Sequence, residues 1–141
     1  MALAGGGGAG NVAGSNPSGT GTSLNYIGDH AYAYSGAFEA NVTAATVLNF
    51  NTGSEYIVGT FTLNACLQFE ATDVAPTYMR IKLNDEQVSV VNVAEPGADT
   101  PSSSIQEMIL SPYTSVVVEC WSNGNDVNDL GNVRFIGRIY A

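Results

Sequence analysis

The chain has 141 residues, of which 45% are apolar and 12% are charged, so it has room for one domain with a hydrophobic core and a weakly ionic surface. Its net charge of −9, from 13 acidic and four basic residues, disfavours nucleic acid and anionic membranes as partners. No apolar run reaches the roughly 20 residues that a membrane helix requires.

The first 23 residues contain eight of the 16 glycines and no charged side chain. Glycine loses much backbone entropy on ordering, and few side chains here could offset that loss by burial. We therefore expect a flexible arm over residues 1–23 and a domain over residues 24–141. The arm is either a leader without a role or a segment that orders against a neighbouring subunit, with Gly5, Gly6, Gly7 and Gly8 permitting close backbone approach. It has neither the basic nor the apolar region of a cleavable secretion signal, so we expect none.

Beyond the arm, apolar and polar residues alternate with the period of two that is typical of half-buried strands. In YIVGTFTLNACLQFEA, the apolar face includes Ile57, Phe61 and Leu63. YMRIKL and VRFIGRIY repeat the pattern, and ATVLNF, VSVVNV, SIQEMIL and YTSVVVECW are rich in β-forming residues. Turn clusters of Asn, Asp, Gly and Pro separate these runs. Eight or nine strands predict an all-β fold, an antiparallel β-sandwich of the jelly-roll type.

The two cysteines, Cys66 and Cys120, are too few for a disulfide framework. Alternation places Cys120 with apolar neighbours and Cys66 with polar ones, so we expect two free thiols in different environments. Arg134 and Arg138 share one face of the last strand, where they could meet the domain's own acidic residues across the sheet.

No motif specifies a reaction. His30 follows Asp29, but no G-x-S-x-G elbow is present, and neighbouring residues of a strand point to opposite faces. Two acidic pairs occur, Glu70 with Asp73 and Asp85 with Glu86. A loop and a hairpin turn explain these pairs better than the two carboxylates of a glycosidase do. We therefore expect a protein that is not an enzyme and uses no cofactor.

The loop SNGNDVNDLGN is dense in the oxygen ligands that Ca²⁺ prefers. Its spacing departs from that of an EF-hand loop, so a solvated strand connection is the favoured interpretation over a calcium site. The weak ligand candidates are Asn123, Asn125, Asp126, Asn128 and Asp129.

Seven tyrosines accompany one tryptophan. Tyr32 and Tyr34 share one face of HAYAYS, and tyrosine suits interfaces because it buries area while keeping a hydroxyl for hydrogen bonding. Core packing explains the pair almost as well. Together with Tyr113 and Trp121 they are our aromatic interface candidates.

Four stretches, LNFNTGSEYIVG, KLNDEQV, SPYTSVVVEC and GRIY, resemble small jelly-roll virion proteins of tailed phages, especially marine ones. The resemblance spans about residues 30–141 and excludes the arm. It implies a non-enzymatic structural protein, assembled in the host cytoplasm, that decorates or cements a capsid and is commonly a trimer. Its partners would be the major capsid protein or neighbouring virion subunits, and its acidic surface would match basic patches on the shell.

The main alternative is a carbohydrate-binding jelly roll, such as a host-recognition knob. Its sugar platform would combine the four aromatic candidates with the Asn- and Asp-rich loop. A weaker alternative is a hydrolase that uses Glu70 and Asp73.

Overall fold

The structure of the chain, a computed structural model, describes residues 24–67, 76–93, 102–122 and 129–140. Several predictions concern residues outside these ranges: the arm with Gly5 to Gly8, the pair Glu70 and Asp73, and the calcium candidates Asn123, Asn125, Asp126 and Asn128. For Cys66 and Asp129 the structure describes the backbone alone.

The described residues form ten β-strands and no helix, which confirms the all-β prediction. None of them therefore belongs to a helix long and apolar enough to cross a membrane. The strands are β1 (Asn25–Ile27), β2 (His30–Tyr34), β3 (Phe38–Glu39), β4 (Ala45–Asn51), β5 (Tyr56–Leu67), β6 (Thr77–Leu83), β7 (Glu86–Val93), β8 (Ser102–Leu110), β9 (Ser115–Ser122) and β10 (Asp129–Tyr140).

Two antiparallel sheets form the sandwich. The six-stranded sheet has the order β8–β5–β10–β2–β1, with β3 also paired to β10, and the four-stranded sheet has the order β4–β9–β6–β7. The chain pairs β2 with β10, β4 with β9, β5 with β8 and β6 with β7. Such nested antiparallel pairs, rolled into two sheets, are the connectivity of a jelly roll. Eight strands build it, and the short β1 and β3 extend the six-stranded sheet.

Three phenylalanines form the centre of the core between the sheets. The ring centroids of Phe61 and Phe135, on neighbouring strands of the six-stranded sheet, are 4.5 Å apart. Phe50 comes from the four-stranded sheet and lies 5.7 Å from Phe135. This cluster joins the two layers, and all three rings are buried.

The alternation along β5 agrees with the predicted faces, except at one position. Ile57 and Leu63 are buried, as predicted. Thr62, on the predicted polar face, is only 7% exposed. It lies on an inner strand, flanked in the register by Ile105 on one side and Arg134 on the other, and these long side chains stand beside the short threonine.

Three connections meet at one end of the sandwich. Thr52 Oγ1, in the β4–β5 loop, accepts a hydrogen bond of 2.8 Å from Thr114 N and donates one of 2.7 Å to Ser111 O. The β6–β7 turn consists of Asn84 and Asp85, whose φ angles of 51° and 69° are typical of a type I′ hairpin. The hairpin interpretation of this acidic pair is therefore confirmed.

Candidate interaction surface

The side chains that point away from the core on the four long strands of the six-stranded sheet form one continuous surface, here called the outer face. It consists of Ser103, Ile105, Glu107 and Ile109 on β8; Tyr56, Val58, Thr60, Thr62 and Asn64 on β5; Leu130, Asn132, Arg134, Ile136, Arg138 and Tyr140 on β10; and His30, Tyr32 and Tyr34 on β2.

The strand register arranges these side chains in rows across the sheet. One row runs from Glu107 through Thr60 and Ile136 to Tyr32. The next row runs from Ile105 through Thr62 and Arg134 to Tyr34. Strands lie about 4.8 Å apart, so each row of four side chains is roughly 14 Å long.

Large apolar side chains of the outer face are exposed next to one another. Ile105 and Ile109 are each 63% exposed, and Val58 and Ile136 are each 44% exposed. Single exposed apolar residues are ordinary, but a contiguous group of them marks an interaction site. Tyr34, Tyr56 and Tyr140 are exposed around this group.

The outer face carries little net charge, although the chain is strongly acidic. Arg134 and Arg138, two of the four basic residues, offset Glu107 on the face and Asp29 at its rim. Glu39 of β3, which pairs with Leu130, adds one exposed carboxylate on the same side of the sheet. Most of the net charge of −9 therefore lies on the rest of the chain, and another acidic protein can approach this face with little repulsion.

Asp29 contacts two side chains at the rim, one on β2 and one on β10. Its Oδ1 lies 2.9 Å from His30 Nδ1 and its Oδ2 lies 2.9 Å from Arg138 Nη2. The prediction that Asp29 and His30 point apart is wrong, because Asp29 lies in the β1–β2 turn and not in the strand. The expected contact between the β10 arginines and an acidic residue is confirmed for Arg138. All three side chains are more than half exposed, so the bridge contributes little to stability.

Arg134 and Glu107 differ from this rim group. Within the described part of the chain, neither side chain takes part in an ion pair, and both are exposed. The outer face thus presents one cation and one anion whose charges have no described partner in the same chain.

A shallow depression of about 390 Å³ lies at one end of the outer face. Tyr34, Arg134 and Ile136 of the outer face line it. Gly36, Ala37, Asn132 and Val133 complete the lining. Such a depression can accept one protruding side chain, apolar or acidic, from another molecule.

The structure separates the four aromatic candidates. Tyr32 and Tyr34 lie on the outer face, with ring centroids 5.5 Å apart. Tyr113, 76% exposed, lies in the β8–β9 turn. Trp121 lies in the four-stranded sheet, where it stacks on Tyr78 at 5.1 Å. One sugar platform made of all four aromatics is therefore wrong, because Trp121 belongs to the opposite layer of the sandwich.

A second cluster, around Trp121, could not be found by sequence reasoning. Arg80 Cζ lies 4.9 Å from the centre of the Trp121 ring, and Arg80 Nη2 lies 2.7 Å from Glu119 Oε1. Lys82 Nζ is 3.7 Å from the same oxygen. The cluster forms because β6 pairs with β9, which places Arg80 opposite Glu119. This pairing cannot be deduced from the sequence until the strand order is known. These side chains contact one another and stabilise the pairing of β6 with β9.

Cys120 is free and buried, as its alternation predicted. Burial raises the pKa of its thiol to about 12, so the reactive thiolate is suppressed. Among the described residues no three His, Cys, Asp or Glu side chains are grouped so that they could hold a metal ion.

No protein-family model matches the chain, and a search of curated proteins finds no match either.

Proposed function

We propose that the chain is a non-enzymatic structural protein of a virion, which decorates or cements a capsid through symmetric contacts between subunits. The observation behind this proposal is the outer face, a weakly charged and partly apolar sheet surface on a strongly acidic chain. Exposed isoleucine and tyrosine side chains are suited to protein contacts, because their burial removes apolar area from water. The resemblance of KLNDEQV and SPYTSVVVEC to phage virion proteins supports the same function.

An acidic end of the sandwich supports a second contact, with the capsid shell. Glu55 of the β4–β5 loop and the exposed Asp85 and Glu86 of the β6–β7 hairpin lie at the same end. Hydrogen bonds from Tyr113 N to Gly53 O and between the Asn84 and Ser115 backbones hold that end together. A basic patch on a capsid protein would be complementary to this end.

Binding of the purified chain to undecorated shells tests the proposal. We expect saturable binding that weakens several-fold as salt is raised, because exposed charges are screened. The double variant Glu55→Gln/Glu86→Gln should bind more weakly, whereas Glu39→Gln, which removes an exposed carboxylate on β3, should bind as the parent does. Absence of binding at low salt would refute the proposal.

A carbohydrate-binding function is the second candidate, favoured by the depression beside Tyr34 and Arg134. A tyrosine ring can pack on a sugar ring, and a guanidinium can pair with the carboxylate of an acidic sugar. A glycan array, read with and without a chelator, separates this function from decoration. An array on which the chain binds no glycan would refute the carbohydrate-binding function.

A further inference from the structure

We propose that the outer face packs against the outer face of a second copy of this chain, about a two-fold axis that runs parallel to the strands between β5 and β10. Strand β8 of each copy then lies over β10 and β2 of its partner. Ile105 enters the partner's depression. This inference rests on the proposed function and names the symmetric contact that it requires.

The charge distribution identifies the occupant of the outer face. Two chains of net charge −9 repel one another least when they meet through surfaces that carry little net charge. The outer face, with its rim, is such a surface, because Arg134 and Arg138 offset two of the three carboxylates of Glu107, Asp29 and Glu39. A basic partner would instead prefer the acidic remainder of the chain, so a second acidic copy is the better occupant of this face.

The shape of the outer face is self-complementary in the same arrangement. Ile105 and Ile109, each 63% exposed, protrude from β8 at one edge, whereas the depression lies toward β2. A two-fold axis parallel to the strands places β8 of one copy opposite β2 of the other. Each row of side chains then faces the same row of the partner. Ile105 shares its row with Arg134 and Tyr34, so it meets the depression that these two residues line.

The size of the outer face fits an interface between subunits. Four strands at about 4.8 Å and nine residues at about 3.4 Å give a flat footprint of roughly 500–600 Å². Protruding side chains add to this area, which brings it near the roughly 800 Å² per partner of a standard interface. Packing of one sheet on another is also an ordinary arrangement for twisted β-sheets.

The mass of the full chain in solution, by light scattering at micromolar concentration, tests the inference. We expect a dimer, a monomer for Ile136→Glu, and a dimer for Val90→Glu. The two positions are matched in exposure, at 44% and 43%, but Val90 points outward from the four-stranded sheet. A monomeric parent chain would overturn the inference. So would a trimer, because one face can meet only one copy of itself, and so would equal dissociation of both variants.

Binding to shells separates this inference from the proposed function. A parent chain that is monomeric but still binds shells would refute the dimer and leave the proposed decoration of capsids intact. A parent chain that is dimeric but does not bind shells would refute decoration and leave the dimer intact.

Discussion

At the scale of single residues, the Phe135 ring depends on two glycines. Gly59 and Gly137 lie opposite one another on β5 and β10. A Cβ atom at Gly59 would lie 2.5 Å from Phe135 Cε1 and 2.9 Å from Gly137 Cα. Gly59→Ala must therefore displace a buried ring or separate the strands, and we expect a loss of about 1–3 kcal/mol in the free energy of unfolding. Urea denaturation measures this loss.

Gly53→Ala is the matched control, because its Cβ atom would meet only the Tyr26 hydroxyl, at 3.9 Å. We expect a change within about 0.5 kcal/mol. Equal stabilities for the two variants would show that Phe135 has room to move. Alternation alone places Gly59 on the apolar face but gives no reason for a glycine there, since the ring that requires it comes from a strand far along the chain.

At the scale of elements, the β6–β7 hairpin depends on left-handed backbone at Asn84 and Asp85. A β-branched residue is strongly disfavoured at positive φ, so Asp85→Val should lower the free energy of unfolding by about 1–2 kcal/mol. Glu86→Val removes the same charge from the next residue, which lies in a strand where valine is favoured. Urea denaturation should show no comparable loss for this control. Equal losses in the free energy of unfolding for the two variants would show that the removed negative charge, and not the backbone conformation at Asp85, causes the destabilisation.

The elements show how far the sequence could predict the fold and the site. Alternation predicted the faces of β5 and that Tyr32 and Tyr34 share one face of their strand, because both are local properties of a strand. Whether that face is core or surface was left open. The short β1 and β3 contain too few residues to show a period. Pairs such as β2 with β10 join the two ends of the domain, so their register could not be deduced from local pattern. The outer face is missing from the sequence prediction for this reason: Ile105 and Arg134 share a row only once β8, β5 and β10 lie side by side.

At the scale of the whole molecule, self-association and stability are linked. A ligand that binds the folded state raises the unfolding temperature, and for a dimer the second copy is that ligand. An unfolding enthalpy of about 0.7 kcal/mol per residue implies that a hundred-fold increase in chain concentration raises the Tm by roughly 5 °C. We expect this rise for the parent chain, measured by circular dichroism in cells of different path length.

The substitutions on the two sheets make this thermal measurement specific to the outer face. Ile136→Glu should unfold at a Tm that is independent of concentration, because its folded state no longer gains from a second copy. Val90→Glu should keep the concentration dependence of the parent even if its own Tm is shifted, since a change in monomer stability moves the Tm equally at every concentration. A parent Tm that stays constant over the hundred-fold range of concentration would contradict the dimer. If only Val90→Glu showed a constant Tm, the chain would instead dimerise through the four-stranded sheet.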